Sequence, residues 1–264
     1  MGVRNAELAT FLQSRRRRLT PTEIGLPRSC HRRVSCLRRE EVAWAADVGI
    51  TWYTWLEQGR PIKIAGETLD RIAVALRLDT SETEYLHKLA RALLDHHERW
   101  NTAISNRVRG LVEGYSSGYA FVIDPLWDIL AWNERAARLF GLNMRKTGLE
   151  RNGVWLIFTR SSLRAALFDW KEVARQTVAM LRVGYADYVG NAEFNGLIAA
   201  LSKESSEFTQ LWSMADVLLP TCWTLGEVID RPNETRHFET VALPIPESRG
   251  QTLIFHYAVT EGTD

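Results

Sequence analysis

Membrane-length apolar runs are missing from this 264-residue sequence. Nothing approaches the roughly 18 consecutive apolar residues that a spanning helix needs. Met1 to Leu12 mixes charged and amide residues with its apolar ones and has no signal-peptide core. Both absences predict a chain that keeps to the cytosol and has no membrane partner. Cysteine is scarce: Cys30, Cys36 and Cys222 fit reduced thiols. His31 adjoins Cys30, but zinc ligands pair about two to four residues apart and recur later, so no metal is expected. There is no P-loop, no G-x-G-x-x-G, no G-x-S-x-G and no H-E-x-x-H. His96 and His97 are adjacent and would point apart on a helix. The constellations of catalysis are therefore absent, and the chain does not read as an enzyme. Net charge is also small, +1. It hides an asymmetry, because residues 1–39 carry ten Arg and two Glu, a net of +8 against −7 in the rest. A basic arm on an acidic body points to a polyanion partner at one end.

What is present is helical periodicity. Leu8, Phe11 and Leu12 lie on one face of a first helix, which Thr20-Pro21 stops. Leu37 to Val48 reads as a second helix, Ile50 to Gly59 as a third, ended by Gly59 and Arg60-Pro61. Leu69, Ile72, Ala73 and Leu76 mark a fourth. Ser81 with Glu84 reads as a capping box opening a fifth helix through Leu94. Residues 1–95 are thus expected to form an all-helical domain and 96–118 a helical linker. From Tyr119 the pattern changes: Tyr119–Ile123, a turn at Asp124-Pro125, and Asp128–Trp132 read as strand–turn–strand. Asn133 is placed to cap the helix that follows. Three later helices are marked by Trp170 to Leu181, Phe194 to Leu201, and Phe208 to Ala215. Strands return at Val217–Ile229, Arg236–Ile245 and Gln251–Thr260. The fold class is mainly α, with an α+β domain over 119–264.

The helices flanking Asp47-Val48-Gly49 have helix-turn-helix form: two short helices and a tight turn. In such units the second helix enters the major groove of double-stranded DNA, and nearby basic residues hold phosphates. "RRVSCLRREEVA" at Arg32–Ala43 and "YTWLEQGR" at Tyr53–Arg60 resemble the MmyB-like branch of the XRE-type helix-turn-helix regulators. "RRRRLTPTEIGLP" and "LDRIAVALRL" extend the likeness over about eighty residues. The resemblance implies a five-helix lambda-repressor-like DNA-binding domain. It places Arg38 and Arg39 near phosphates, Ile50, Thr51, Trp52 and Trp55 toward the groove, Tyr53 and Leu56 toward the core, and Arg60 near the DNA backbone. Arg32, Arg33 and Thr54 complete the candidate set. Departures stand at Cys36, Ala45, Asp47, Gly49 and Trp55, where the family usually has Gly, Leu, Gly, Ser and Arg. Asp tolerates the left-handed turn at some cost. Trp55 cannot make the bidentate guanine pair open to Arg, so altered or weakened base recognition is expected.

"YAFVIDPLWDILAWNERAARLFG", "RNGVWLIF", "WKEVARQTVAMLR" and "SSEFTQLW" resemble the PAS-like ligand-binding half of the same regulators. Arg231-Pro232 departs from the family's His-Pro pair. The resemblance implies a pocket for a small apolar ligand such as a fatty acid, with no other cofactor. Trp132, Trp155, Phe158, Trp170 and Trp212 are the candidate apolar lining, and Arg151 or Arg182 the candidate carboxylate anchor. Large aromatics also belong to cores. A domain that only pairs two DNA-binding heads into a homodimer meets the same residues.

Overall fold

The computed structural model describes residues 3–27, 34–91, 100–219, 223, 225–231, 234–248 and 250–259. Two compact units result, one of residues 1–97 with 186–191, the other of the remainder. Among the described residues no helix is long and apolar enough to cross a membrane.

The first unit holds α1 (Val3–Arg18), a 3-10 turn (Pro21–Ile24), α2 (Arg39–Ala45), α3 (Ile50–Glu57), α4 (Gly66–Ala75) and α5 (Thr80–Arg91). Leu8, Phe11 and Leu12 of α1 are buried with Val42, Tyr53, Leu56, Ile72, Tyr85 and Leu86. The second helix is shorter than its periodicity suggests. Leu37 is buried ahead of it, where its N–H bonds Leu19 O at 2.8 Å. The box at the start of α5 is not Ser81 with Glu84. Asp79 Oδ1 accepts from the Glu82 N–H at 2.8 Å, and Glu82 Oε2 accepts from the Asp79 N–H at 3.2 Å. Ser81 lies inside the helix, buried.

Three helices of this unit end in the same way. At α2 the N–H of Val48 bonds Ala43 O and that of Asp47 bonds Trp44 O. Arg60 and Gly59 repeat the pattern on Trp55 and Leu56, and Leu78 and Arg77 on Ala73 and Val74. These are Schellman closures, which need a left-handed residue just past the helix. Asp47 (φ 52°), Gly59 (φ 68°) and Arg77 (φ 50°) supply it. At Gly59 glycine is required for a second reason: a Cβ there would lie 2.9 Å from the backbone oxygen of Asn5. Gly59→Ala is therefore expected to cost more than the roughly 1–2 kcal/mol of a left-handed alanine, read as a lowered urea midpoint. An unchanged midpoint would remove the close approach of α1 to the end of α3.

The second unit is a five-stranded antiparallel sheet with helices. Its strands are β1 (Gly118–Ile123), β2 (Ile129–Trp132), β3 (Gly226–Arg231), β4 (Glu234–Pro244) and β5 (Thr252–Ala258), in spatial order β2-β1-β5-β4-β3. Its helices are α6 (Asn106–Gly114), α7 (Glu134–Phe140), α8 (Gly153–Thr159), α9 (Ser161–Ala166), α10 (Trp170–Asp187), α11 (Ala192–Glu204) and α12 (Ser206–Ser213). α6, within the stretch read as a linker, packs on one sheet face. Its Val112 joins Ala120, Val122, Ala131 and Leu253 in one apolar cluster. Phe121, Ile254 and His256 point to the other face. Burial on both faces explains why Leu253, Ile254 and Phe255 form a continuous apolar run. Val217–Ile229 is corrected: among its described residues only Gly226 onward is strand. Val217, Trp223 and Leu225 are apolar because they are buried in the core, not because they alternate along a strand.

Candidate functional site

The helix-turn-helix is built on a buried carboxylate. Glu57, the last residue of α3, is 1% exposed. Arg16 of α1 grips it in bidentate fashion, Nε to Oε1 at 2.6 Å and Nη2 to Oε2 at 2.9 Å. Arg39 of α2 adds Nε to Oε2 at 2.8 Å. Arg16 Nη1 also donates to Leu37 O at 2.8 Å, and Gln13 Nε2 donates to the carbonyl of Glu57 at 2.7 Å. One carboxylate thus joins α1, α2 and α3 and sets their mutual angles. Its hydrogen bonds and charge outweigh the burial of Arg16 and hold that guanidinium above its usual pKa. Arg71 of α4 donates to Ala46 O at 3.0 Å and secures the turn.

This arrangement revises the basic arm. Arg15 and Arg16 are buried, paired with Glu82 at 2.7 Å and Glu57 at 2.6 Å. Their charge is neutralised within the protein; Arg17 and Arg18 are exposed, Arg18 within 3.3 Å of Glu82. The missed signal was periodic: positions 15 and 16 follow Phe11 and Leu12 by four residues and continue the same inward face.

On α3, Tyr53 and Leu56 are buried. Ile50, Thr51 and Trp55 are exposed, Trp52 and Thr54 half-buried. The Arg60 guanidinium lies over the Trp55 ring at 5.4 Å, so a cation stands beside the position that lacks one. Arg38 is exposed at the start of α2, where its backbone N–H donates to Glu41 at 2.6 Å. Arg17, Arg38 and Arg39 line a shallow groove of about 550 Å³. Arg39 lies in this groove and is also committed to Glu57. Arg32 and Arg33 lie outside the described residues.

The candidates of the second unit fall into separate groups. Trp132 is half-buried beneath the Arg151 guanidinium at 4.8 Å. Arg151 in turn donates to Ile129 O at 3.1 and 2.7 Å and to Leu130 O at 3.4 Å. Phe158, Trp170, Phe208 and Trp212 form an aromatic chain among the helices. Arg182 lies over Trp212 at 3.9 Å and donates to its carbonyl. Trp155 is half-buried on α8. Both arginines proposed as anchors therefore already hold backbone carbonyls and indole rings. The interior between sheet and helices contains an apolar cavity of only about 10 Å³, lined by Phe121, Trp127, Phe140, Ile157, Leu167 and Trp223 among others. That is about the room of one water, and none of the seven candidates lines it.

Two buried titratable groups bound this interior. His256 is fully buried, its Nδ1 2.7 Å from Thr240 Oγ1, and its ring packs edge-to-face with Trp223 at 4.8 Å. Burial lowers its pKa to about 3, so it is neutral at physiological pH. Asp124, at the β1–β2 turn, accepts from Trp100 Nε1–H at 3.0 Å and the Asp128 N–H at 2.9 Å. Burial, with Asp128 adding repulsion, raises it to about 7. Sequence analysis read Asp124 only as part of a turn and gave His256 no role. The turn that carries Asp124 holds Trp127 at φ 69°, rare for a bulky side chain.

An outward-facing second helix on a braced helix pair defines a helix-turn-helix DNA-binding protein, and a second domain of sheet and helices completes it. A helix-turn-helix domain model matches residues 7–86. The MmyB-like transcription regulator ligand binding domain matches residues 104–264, more than half of the chain, and the chain belongs to that family. Comparison with curated proteins finds no match. The chain is accordingly a ligand-sensing helix-turn-helix transcription regulator.

Proposed function

We propose that this regulator reads double-stranded DNA through Ile50, Thr51 and Trp55 and that a small apolar molecule of the fatty-acid kind, held by the PAS-like second domain, sets its affinity. The observation that carries the first half is the Glu57 junction, which presents those three side chains outward from a fixed helix pair. Trp52 and Thr54 flank them. Arg38 and Arg60 contact phosphates. Arg39 acts chiefly by positioning α3. Ile50 and Trp55 offer apolar contact to thymine methyls rather than hydrogen bonds to guanine. Strand order β2-β1-β5-β4-β3 supports the PAS-like reading.

The test is solvent extraction of the purified full chain, with mass spectrometry of the extract and DNA affinity measured before and after delipidation. A bound lipid whose removal changes affinity is expected. An empty extract, with no thermal shift on adding fatty acids, would overturn the sensor and leave the second reading. That reading is a homodimer formed through the sheet, and exposed Val241, Leu243 and Tyr257 on the α6 side favour it.

A further inference from the structure

Three segments meet at one corner of the second unit. Trp100, ahead of α6, is buried, and its Nε1–H donates to Asp124 Oδ2 at 3.0 Å. Its ring meets Phe194 edge-to-face at 6.0 Å. Gln251, just before β5, donates through Nε2 to the carbonyls of Asn101 at 2.7 Å and Ala103 at 2.9 Å. Gly250 closes the corner: a Cβ there would lie 2.7 Å from Pro125 Cγ and 3.3 Å from Trp100 Cβ. The chain arriving from the DNA-binding unit is thus fastened to the β1–β2 turn and the β4–β5 turn before α6 begins. The other side of the β1–β2 turn faces the interior. The Trp127 N–H donates to Asp124 O at 2.9 Å, and the Trp127 ring lines the interior cavity and meets Trp223 edge-to-face at 5.5 Å. Asn152 Nδ2 donates to Leu126 O at 2.7 Å and to Asp128 Oδ1 at 2.8 Å, which ties the turn into one piece. With room for about one water, the cavity admits a larger molecule only if its wall moves. Among the described lining residues Trp127 alone has a left-handed backbone, φ 69°. Bulky side chains disfavour that conformation, so a rearrangement there relieves strain where movement of another wall residue would add it. Trp127 lies three residues from the carboxylate that holds Trp100.

We propose that Trp100 is the positioning residue that carries occupancy of the interior to the DNA-binding unit. Displacement of Trp127 shifts the β1–β2 turn, breaks the Trp100–Asp124 hydrogen bond and frees the chain that enters from the DNA-binding unit. The inference rests on the ligand-sensing reading and names the residues that couple its two halves. Such coupling needs one element with two arrangements that both sites bias, and that element is the turn at 124–127. The test is a double-mutant cycle on the full chain, read as affinity for a duplex from the gene's own upstream region. Trp100→Phe keeps a ring against Phe194 and removes the Nε1–H donor. Trp127→Gly removes the wall and relaxes the left-handed position. Trp127→Phe, a milder change, serves where the glycine variant does not fold. Trp127→Gly is expected to change affinity about fivefold or more in the wild-type background and less than about twofold in Trp100→Phe. The Trp100 indole N–H resonance, assigned by its loss in Trp100→Phe, is expected to shift and to exchange faster in Trp127→Gly. An equal change of affinity in both backgrounds, or an unmoved indole resonance, would overturn the relay. Delipidation separates that failure from failure of the sensor: a shift in DNA affinity of the same size in wild type and Trp100→Phe would overturn the relay and leave the sensor standing.

Discussion

Replacing Glu57 with alanine is expected to destabilise the helix-turn-helix unit by about 3–5 kcal/mol. Its carboxylate satisfies Arg16, whose side chain is 10% exposed, and Arg39, at 41%. Removing it strands one cation in the interior, and an uncompensated buried charge costs far more than the pair contributed. Domains of this size are stable by about 5–15 kcal/mol, so the loss takes a large share. Arg39→Ala is expected to cost much less, because its partner keeps Arg16 and its own side chain reaches solvent. Hydrogen exchange read by mass spectrometry separates the two units. Peptides from α1 to α3 should lose protection in Glu57→Ala, while peptides from β1 and β5 keep theirs. Unchanged protection in α1 would mean that the junction does not hold the helices. DNA affinity should fall with protection, since the outward set on α3 has no fixed orientation without Glu57.

Much of this architecture was legible in the residues. Asn133 caps α7 as read, its Oδ1 accepting from the Ala136 N–H at 2.9 Å, while its Nδ2 also donates to Tyr115 O and Gly118 O. Asp47 takes the left-handed position that the tight turn demands. The buried faces of α1, α3 and α4 follow from spacing alone. Tertiary satisfaction of charge was not legible. A run of four arginines looks the same whether its members meet phosphates or buried carboxylates, and Glu57 lies 41 residues from Arg16. A list of tryptophans draws attention to side chains that pack with one another. The aromatic residues nominated for the ligand pack in the helical layer and at the β2 edge.

The second large effect expected is acid lability of the sheet domain through His256. Its folded pKa, about 3, lies below the ordinary 6.5. Stability from keeping it neutral is full above pH 6.5 and is lost as pH falls toward 3. The complete loss is of the order of 5 kcal/mol. Asp124 acts with the opposite sign. Its folded pKa of about 7 lies above the ordinary 3.8, so its contribution is full below pH 3.8 and is lost as pH rises through 7. Chemical denaturation of wild type, His256→Phe and Asp124→Asn between pH 4 and 8 separates the two. His256→Phe should lose less stability on acidification than wild type. Asp124→Asn should lose less on passing from pH 4 to pH 8. Parallel stability curves for all three would mean that neither group is held in its neutral form by the fold.

DNA binding itself is tested most directly by salt dependence. Affinity for a duplex from the gene's own upstream region, followed by fluorescence anisotropy at several salt concentrations, gives the number of phosphates neutralised. Arg38→Ala leaves the Glu57 junction intact, and it should weaken binding and reduce the slope of log K against log salt by about one. Trp55→Ala should weaken the upstream duplex more than an unrelated one. A wild-type affinity that ignores salt, or an Arg38→Ala variant with unchanged slope and affinity, would contradict recognition of DNA by this face.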